Sequence, residues 1–317
     1  MISQSLFNNP IKLKRCTGLT PEQFNQLSIG VEPLWNEAEE KRLSRLNPNR
    51  KRAIGAGHPY TLKTIKEKIF SILLYYKTYP AFWFLGLIVG LDASNVCRLI
   101  QRLRPLIEKA ADPELEIYLK KAVSDIQKQK GIKKISSWEE LKKEFPEIAE
   151  ILIDATEQQR HRPKKRIQKK YYSGKKKKHT LKTQLIANSA GKILDVSKTY
   201  PGSVHDLEVF RREKTSKYIP KEAKTHLDKG YTGVKKEYPM LNFLIPFRRN
   251  RGKKELSRAE KIQNTKLSKI RVLIEHVIAK VKKYRLLSEV FRNKVEYYNQ
   301  DFKNIAALIN FRLEFTT

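Results

Sequence analysis

Three carboxylates in this 317-residue chain stand where their types and surroundings could support chemistry. Asp154 follows the aliphatic run Ile151-Leu152-Ile153, and Asp228 closes a short strand-like segment that begins at Ala223. Glu275 lies in the amphipathic stretch from Lys266 to Leu287. An aliphatic run bounded by polar residues reads as a strand buried on both faces, so an Asp at its end is held rigidly at the rim of the core. Gly230 and Gly233, just after Asp228, allow close backbone approach by a ligand or DNA. At about 100° per residue, Arg271, Glu275 and Lys282 fall on one helix face. Two strand-end aspartates and a helix glutamate suit two-metal phosphoryl chemistry. Mg²⁺ prefers carboxylate oxygens and water, and two ions about 3.5 to 4 Å apart stabilise both the attacking and the leaving oxygen of a phosphodiester. Two of the acids also have a plainer reading: Asp154 as the cap of an exit turn, Glu275 as the i,i+4 partner of Arg271 on a solvated face.

The balance of charge says what such a site would act on. Lys and Arg number 66 against 33 Asp and Glu, a formal net charge of +33, so the natural partner is a polyanion, and nucleic acid comes first. A membrane surface is the competitor, but the most apolar stretch, Ala81 to Leu91, is 11 residues long, well short of the roughly 18 to 20 that a spanning helix needs. The N-terminus lacks the basic and apolar regions of a secretory signal. Cys16 and Cys97 stand alone, without the spacing of a zinc site or a disulfide framework. The expectation is a soluble, reduced, cytoplasmic protein with no membrane partner.

These residues need elements to position them, and the chain divides accordingly. Residues 1–58 form an N-terminal helical and basic arm region: Thr20 caps a helix begun by Pro21, and Arg42 to Arg52 reads as a mobile arm or as plain solvated surface. Residues 59–111 carry a helical pattern through Leu62, Ile65, Ile69, Ile72 and Leu73, then a break at Tyr79-Pro80 and a turn at Leu91-Asp92. That layout fits a helix-turn-helix domain whose second helix, capped by Asp92 or Ser94, offers Asn95, Arg98, Gln101 and Arg102 to DNA; an ordinary helical hairpin is the alternative. Residues 112–147 read as a helical connector, and residues 148–317 as the catalytic domain.

Within that last domain, Arg160 to Lys178 holds eleven Lys and Arg, ending in Lys175, Lys176, Lys177 and Lys178, with Tyr171 and Tyr172 among them. A basic loop flanked by strands would track phosphates. His179 to Asn188 and Lys192 to Lys198 form a hairpin of two strands, and Phe243 to Phe247 one more. Ser203 and Asp206 fit a capping box, which leaves His205 and Asp206 as capping or supporting residues.

Taken together, Ile153-Asp154-Ala-Thr-Glu157, Tyr172-Ser-Gly-Lys-Lys-Lys-Lys-His179-Thr-Leu-Lys182, Tyr200-Pro-Gly-Ser-Val-His-Asp206, Leu227-Asp-Lys-Gly-Tyr-Thr-Gly233 and Arg271 to Lys282 resemble the DDE transposases of bacterial insertion sequences, in the branch related to Harbinger elements. The resemblance runs from the Leu19-Thr-Pro-Glu-Gln-Phe24 opening through most of the chain. It implies an α/β protein in which an N-terminal helical helix-turn-helix domain precedes a ribonuclease-H-like mixed-sheet catalytic domain. It implies Asp154, Asp228 and Glu275 as catalytic residues and ligands of Mg²⁺, two ions per site with Mn²⁺ as a substitute. Arg271 and Lys282 match its DNA-holding positions, whereas Ser268 stands where the family often has Tyr. The partners implied are terminal inverted repeats and target DNA, with a homodimer or larger synaptic complex near the bacterial nucleoid. A regulator derived from such an element would lack an acid, and none is missing. A nuclease without strand transfer remains the second alternative.

Overall fold

The computed structural model describes residues 4–46, 60–115, 148–249 and 255–315, together with Leu119, Glu139 and Lys143. Residues 47–58 of the basic arm and nearly all of the 116–147 connector lie outside the described residues. The helices are α1 (Gln4–Phe7), α2 (Pro10–Thr17), α3 (Pro21–Leu46), α4 (Ile65–Thr78), α5 (Phe82–Val89), α6 (Ala93–Ala111), α7 (Gln168–Tyr171), α8 (Asp206–Arg212), α9 (Val234–Glu237), α10 (Arg258–Lys282) and α11 (Val295–Glu314). The strands are β1 (Glu150–Gln159), β2 (Tyr172–Ser173), β3 (Lys178–Asn188), β4 (Ile193–Val196), β5 (Tyr200–Pro201), β6 (Lys224–Leu227) and β7 (Phe243–Leu244). They form two compact units. The first is residues 1–113, 282–289 and 295–317, and the second is residues 114–281 and 290–294.

The first unit is helical. Thr20 and Gln23 cap α3 reciprocally, each side chain accepting from the other's backbone N–H, at 3.4 and 3.0 Å. Thr64 and Glu67 do the same for α4. Arg42 to Leu46 continue α3 and are not part of a loose arm, because the Arg42 guanidinium reaches back one turn to Glu39 at 2.9 Å. The axes of α5 and α6 bend by 92° across the three-residue turn between them. Gly86 makes that close crossing possible: a Cβ there would stand 2.2 Å from the Leu91 carbonyl oxygen. No single described helix is long and apolar enough to cross a membrane.

The sequence reading is silent on α11, which fills this unit's centre with Phe302, Ile305, Ala306, Leu308 and Ile309. The helix also brings in polar groups. Asp301 accepts two hydrogen bonds from Arg104 of α6, at 2.7 and 3.1 Å, and Asn304 donates to the Tyr76 hydroxyl at 2.7 Å. The Arg104 and Asp301 side chains are 4% and 0% exposed, so neither ion has water to fall back on.

The second unit is built on a mixed sheet in the order β2-β3-β1-β6-β7, with β4 and β5 also pairing with β3. β1 runs antiparallel to β3 from Ile151 opposite Asn188 to Gln159 opposite Thr180, and parallel to β6 from Glu150 to Ile153. Apolar residues of these strands join Phe210, Tyr231, Val234 and Phe243 in the core. The mixed α/β class with a helical N-terminal region is as the sequence implied. Several boundaries differ: α10 ends at Lys282, short of Leu287, and β7 covers only Phe243–Leu244 of the expected Phe243 to Phe247. β1 runs on past Asp154 to Gln159, because polar Thr156 and Gln158 continue the ladder with β3. α10 begins at Arg258, eight residues ahead of the amphipathic stretch, on a Ser257–Glu260 capping box.

The buried Arg104–Asp301 pair generates a stability prediction. Asp301→Ala leaves a guanidinium buried and unpaired, and should lower the unfolding free energy by about 3 to 5 kcal/mol. Replacing both ions, Arg104→Met with Asp301→Leu, should recover most of the loss. Denaturant melts test this; an Asp301→Ala midpoint indistinguishable from wild type would show that the pair carries no such weight.

Candidate active site

Strand register brings the first two acids together. β6 pairs with β1 through Leu227 opposite Ile153, so one residue further on Asp228 leaves the sheet beside Asp154. Asp228 then opens a tight turn in which the Tyr231 N–H donates to its carbonyl at 3.0 Å. The Asp154 Oδ1 accepts from the Ala155 N–H at 2.8 Å. Burial pushes the Asp154 carboxyl up to about 6; Asp228 and Asp206 push in the same direction, while the Ala155 hydrogen bond and Arg271 oppose them.

Arg271 of α10 joins the third acid to this pair. Its Nη1 lies 3.1 Å from Asp228 Oδ1, and its Nη2 lies 3.8 Å from Glu275 Oε1, one turn along the same helix. Glu275 is 58% exposed against 24% for Asp228, so it stands at the open side. The donors are carboxylate oxygens alone, the chemistry a hard divalent cation takes, and a cation beside Asp154 would offset the cost of burying its charge. Among the described residues no three His, Cys, Asp or Glu side chains converge on one metal position. Asp154 and Asp228 could hold a metal as a pair, with Glu275 reached across Arg271.

Near the acids lies a charged lock centred on Lys182, which draws in Asp206, expected from the sequence to be a capping or supporting residue. Lys182 of β3 stands directly opposite Glu157 of β1, and its ammonium donates to Asp206 Oδ1 at 2.7 Å and to the Val204 carbonyl at 2.6 Å, with Glu157 Oε1 at 3.4 Å. Thr180 donates to the other Glu157 oxygen at 2.8 Å. This corrects the capping-box expectation. His205 occupies the N-cap position of α8 without a side-chain bond, Asp206 is drawn to the buried ammonium, and Ser203 donates to the Lys170 carbonyl at 2.6 Å. A lysine in the middle of a strand buried on both faces was the available signal, since a buried ammonium needs carboxylate partners. Gly230 is fitted to the same lock: a Cβ there would stand 2.5 Å from Asp206 Oδ2.

Lys175, Lys176 and Lys177 occupy the turn between β2 and β3, and Lys178 begins β3; all four are exposed. The Arg160 guanidinium lies over the Tyr171 ring, 4.3 Å from its centroid. Lys282 is the last residue of α10 and half-buried. In the helical unit, Asn95 and Arg98 are joined by a 2.8 Å hydrogen bond at the exposed start of α6, and Gln101 is exposed one turn on. Arg102 is turned inward instead, paired with Glu39 and lying 4.4 Å over the Trp35 ring. Burial pushes the Glu39 carboxyl up, but Arg42 and Arg102 outweigh it and hold the group below its ordinary value.

Residues 153–310 match the family described as DDE superfamily endonuclease. Over 304 residues the chain is 27% identical to a probable transposase for insertion sequence element IS702 from Microchaete diplosiphon, covering 95% of this chain and 94% of that protein. No solved structure gives a significant match.

The tight fit at Gly230 yields a prediction. Gly230→Ala forces Asp206 off Lys182 or shifts the turn after Asp228, and should cost about 1 to 3 kcal/mol of stability. Thermal unfolding measures it; an alanine variant as stable as wild type would mean that the turn and the lock are not pressed together.

Proposed function

Residues 153–310 belong to the DDE superfamily of endonucleases, and from that premise we propose that this protein is a DNA transposase. It binds the terminal inverted repeats of its own element, cuts phosphodiester bonds with metal-activated water and joins the freed 3′-hydroxyl to target DNA. The observation that carries the reading is the adjacency of Asp154 and Asp228 at the point where β6 leaves β1, with Arg271 linking them to Glu275. The transposase of insertion element IS702, similar over nearly the whole chain, supports the step from nuclease to transposase.

In this reading Asp154, Asp228 and Glu275 would hold Mg²⁺, two ions per site, with Mn²⁺ as a substitute. Bound there, the metal supplies a nucleophilic water at neutral pH and a counter-charge for the phosphate oxygens. The chain's own groups do the positioning. The β1–β6 pairing fixes two of the acids on rigid backbone, and Arg271 fixes the Asp228 carboxylate and orients Glu275. Lys182 ties the 203–206 turn to β3, so Asp206 supports the site without competing for its ligands. Lys175 to Lys178, Arg271 and Lys282 contact phosphates.

Recognition of the ends falls to the helix-turn-helix of α5 and α6, a reading supported by their 92° bend and short turn. Asn95, Arg98 and Gln101 are the side chains available to base edges, and Arg102, committed to Glu39, holds α6 against α3. Two ends must be held together for strand transfer, so the working form is a homodimer or larger synaptic complex.

Two experiments test this. Asp154→Asn, Asp228→Asn and Glu275→Gln should each abolish cleavage of inverted-repeat DNA while end binding persists, because the basic surface is untouched. Full cleavage by any one of them would remove that residue from the site. Arg98→Ala in the full chain should reduce the preference for end sequence over random duplex, a loss of about 1 to 3 kcal/mol in discrimination. Lys282→Ala should instead weaken binding to all sequences and lower the salt slope by roughly one ion. Equal effects of both variants on end and random DNA would move base recognition away from α6.

A further inference from the structure

The helix α5 shows a contiguous apolar face that nothing in the proposed chemistry uses. Leu85, Gly86 and Val89 are buried against the rest of the helical unit. Trp83 is 63% exposed, Phe84 47%, Leu87 71% and Ile88 37%. Residues 83 and 87, and likewise 84 and 88, are four apart and stack on adjoining lines of the same helix side. Bare aromatic side chains present ~150–250 Å² each, so the four exposures together amount to roughly 500 Å², at the upper end of the largest patch on an ordinary monomer.

What covers this face is decided by charge. From Thr78 to Leu91 the sequence carries no charged residue, in a chain whose charged share is 31%. DNA is a poor occupant, since its backbone is bound by Lys and Arg and this stretch contains none. The helix by itself cannot span a bilayer: eight helical residues reach about 12 Å, against a hydrocarbon layer of about 30 Å. A second copy of the chain fits. At a net charge of +33 two copies repel one another across most of their surface, and an uncharged apolar face is where they approach with least electrostatic cost. An apolar patch is also self-complementary, as a two-fold interface requires. Two such faces in contact remove about 1,000 Å² from water, the threshold for a specific interface.

We propose that the Trp83–Phe84–Leu87–Ile88 face of α5 is the surface through which two copies of this chain associate. The proposal deepens the transposase reading by naming the surface that pairs the chains, and that reading's own tests concern cleavage and can fail separately.

The experiment is sedimentation velocity on the full-length protein without DNA, at micromolar concentration and moderate salt. Wild type should sediment at twice the 37.1 kDa chain mass. Leu87→Lys and Trp83→Lys should sediment as single chains with unchanged circular dichroism, and the milder Leu87→Ser should raise the dimer dissociation constant at least tenfold. Ile11→Lys, at a residue 65% exposed on α2, should leave the dimer intact. A monomeric wild type overturns the proposal, as do Leu87 variants that remain dimers. Dimeric variants that bind end DNA less tightly would give the face to DNA, and dimeric variants that lose binding to anionic vesicles would give it to a lipid surface. Should Trp83→Lys lose its helical signal, Leu87→Ser decides. Metal-dependent cutting of a single end by monomeric Leu87→Lys would keep the nuclease reading while confirming the surface, and absence of cutting by a normal wild-type dimer would sink the nuclease reading alone.

Discussion

The parallel pairing of Ile153 with Leu227 is the constraint on which the catalytic half depends. β1 is ten residues long and β6 only four, so the shorter strand stops beside the middle of the longer one. Asp228 is thereby released into a turn exactly one residue past the last pair, while Asp154 stays locked between β3 and the end of β6. A register slip of one residue would send every side chain of β6 to the opposite face and separate the acids. The apolar groups that prevent the slip, Ile151, Ile153 and Leu227, are completely or almost completely buried. Hydrophobic register thus fixes the position of two polar groups that would otherwise repel one another.

A second theme is how a strongly basic chain uses its acids. Glu39 is buried between Arg42 and Arg102, Asp301 against Arg104, and Glu157 and Asp206 around Lys182. Pairs of this kind add little net stability over apolar packing, but each fixes one arrangement of neighbouring elements, because either ion alone is costly to bury. They tie α3 to α6, α6 to α11, and β3 to the turn before α8. Asp228 and Glu275 differ: both share a single arginine, and the Asp154 beside them is already raised by burial and by its neighbours. On the proposed function a divalent cation would complete these three acids, whereas the other pairs hold the fold.

Much of this could be read from the residues. Period-two alternation gave β3 and β4, an aliphatic run gave β1, a short strand-like segment gave β6, and the Thr20-Pro21 and Asp92-Ala93 signals gave helix starts. What could not be read depends on partners distant in sequence. The polar end of β1 looks like a loop until Thr156 and Gln158 are paired with β3. Ser203 and Asp206 look like a capping box until Lys182, more than twenty residues earlier, claims the carboxylate. Arg102 has the spacing of a DNA-facing residue, yet Glu39, on another helix, draws it inward. In each case a local rule lost to the need of a buried charge for a partner.

Those buried pairs also shape the outer surface. Every acid committed inside leaves cations outside less compensated, which favours a polyanion and opposes a second copy of the chain. Salt therefore acts on the two associations with opposite sign. Screening weakens phosphate contacts by making counterion release less favourable. It lowers the repulsion between like-charged chains and leaves apolar contact unharmed. On the proposed function, which gathers two DNA ends with two chains, both terms act at once. If the uncharged face of α5 pairs the chains as proposed and the cations proposed for DNA meet phosphate, the two associations are set by different residues.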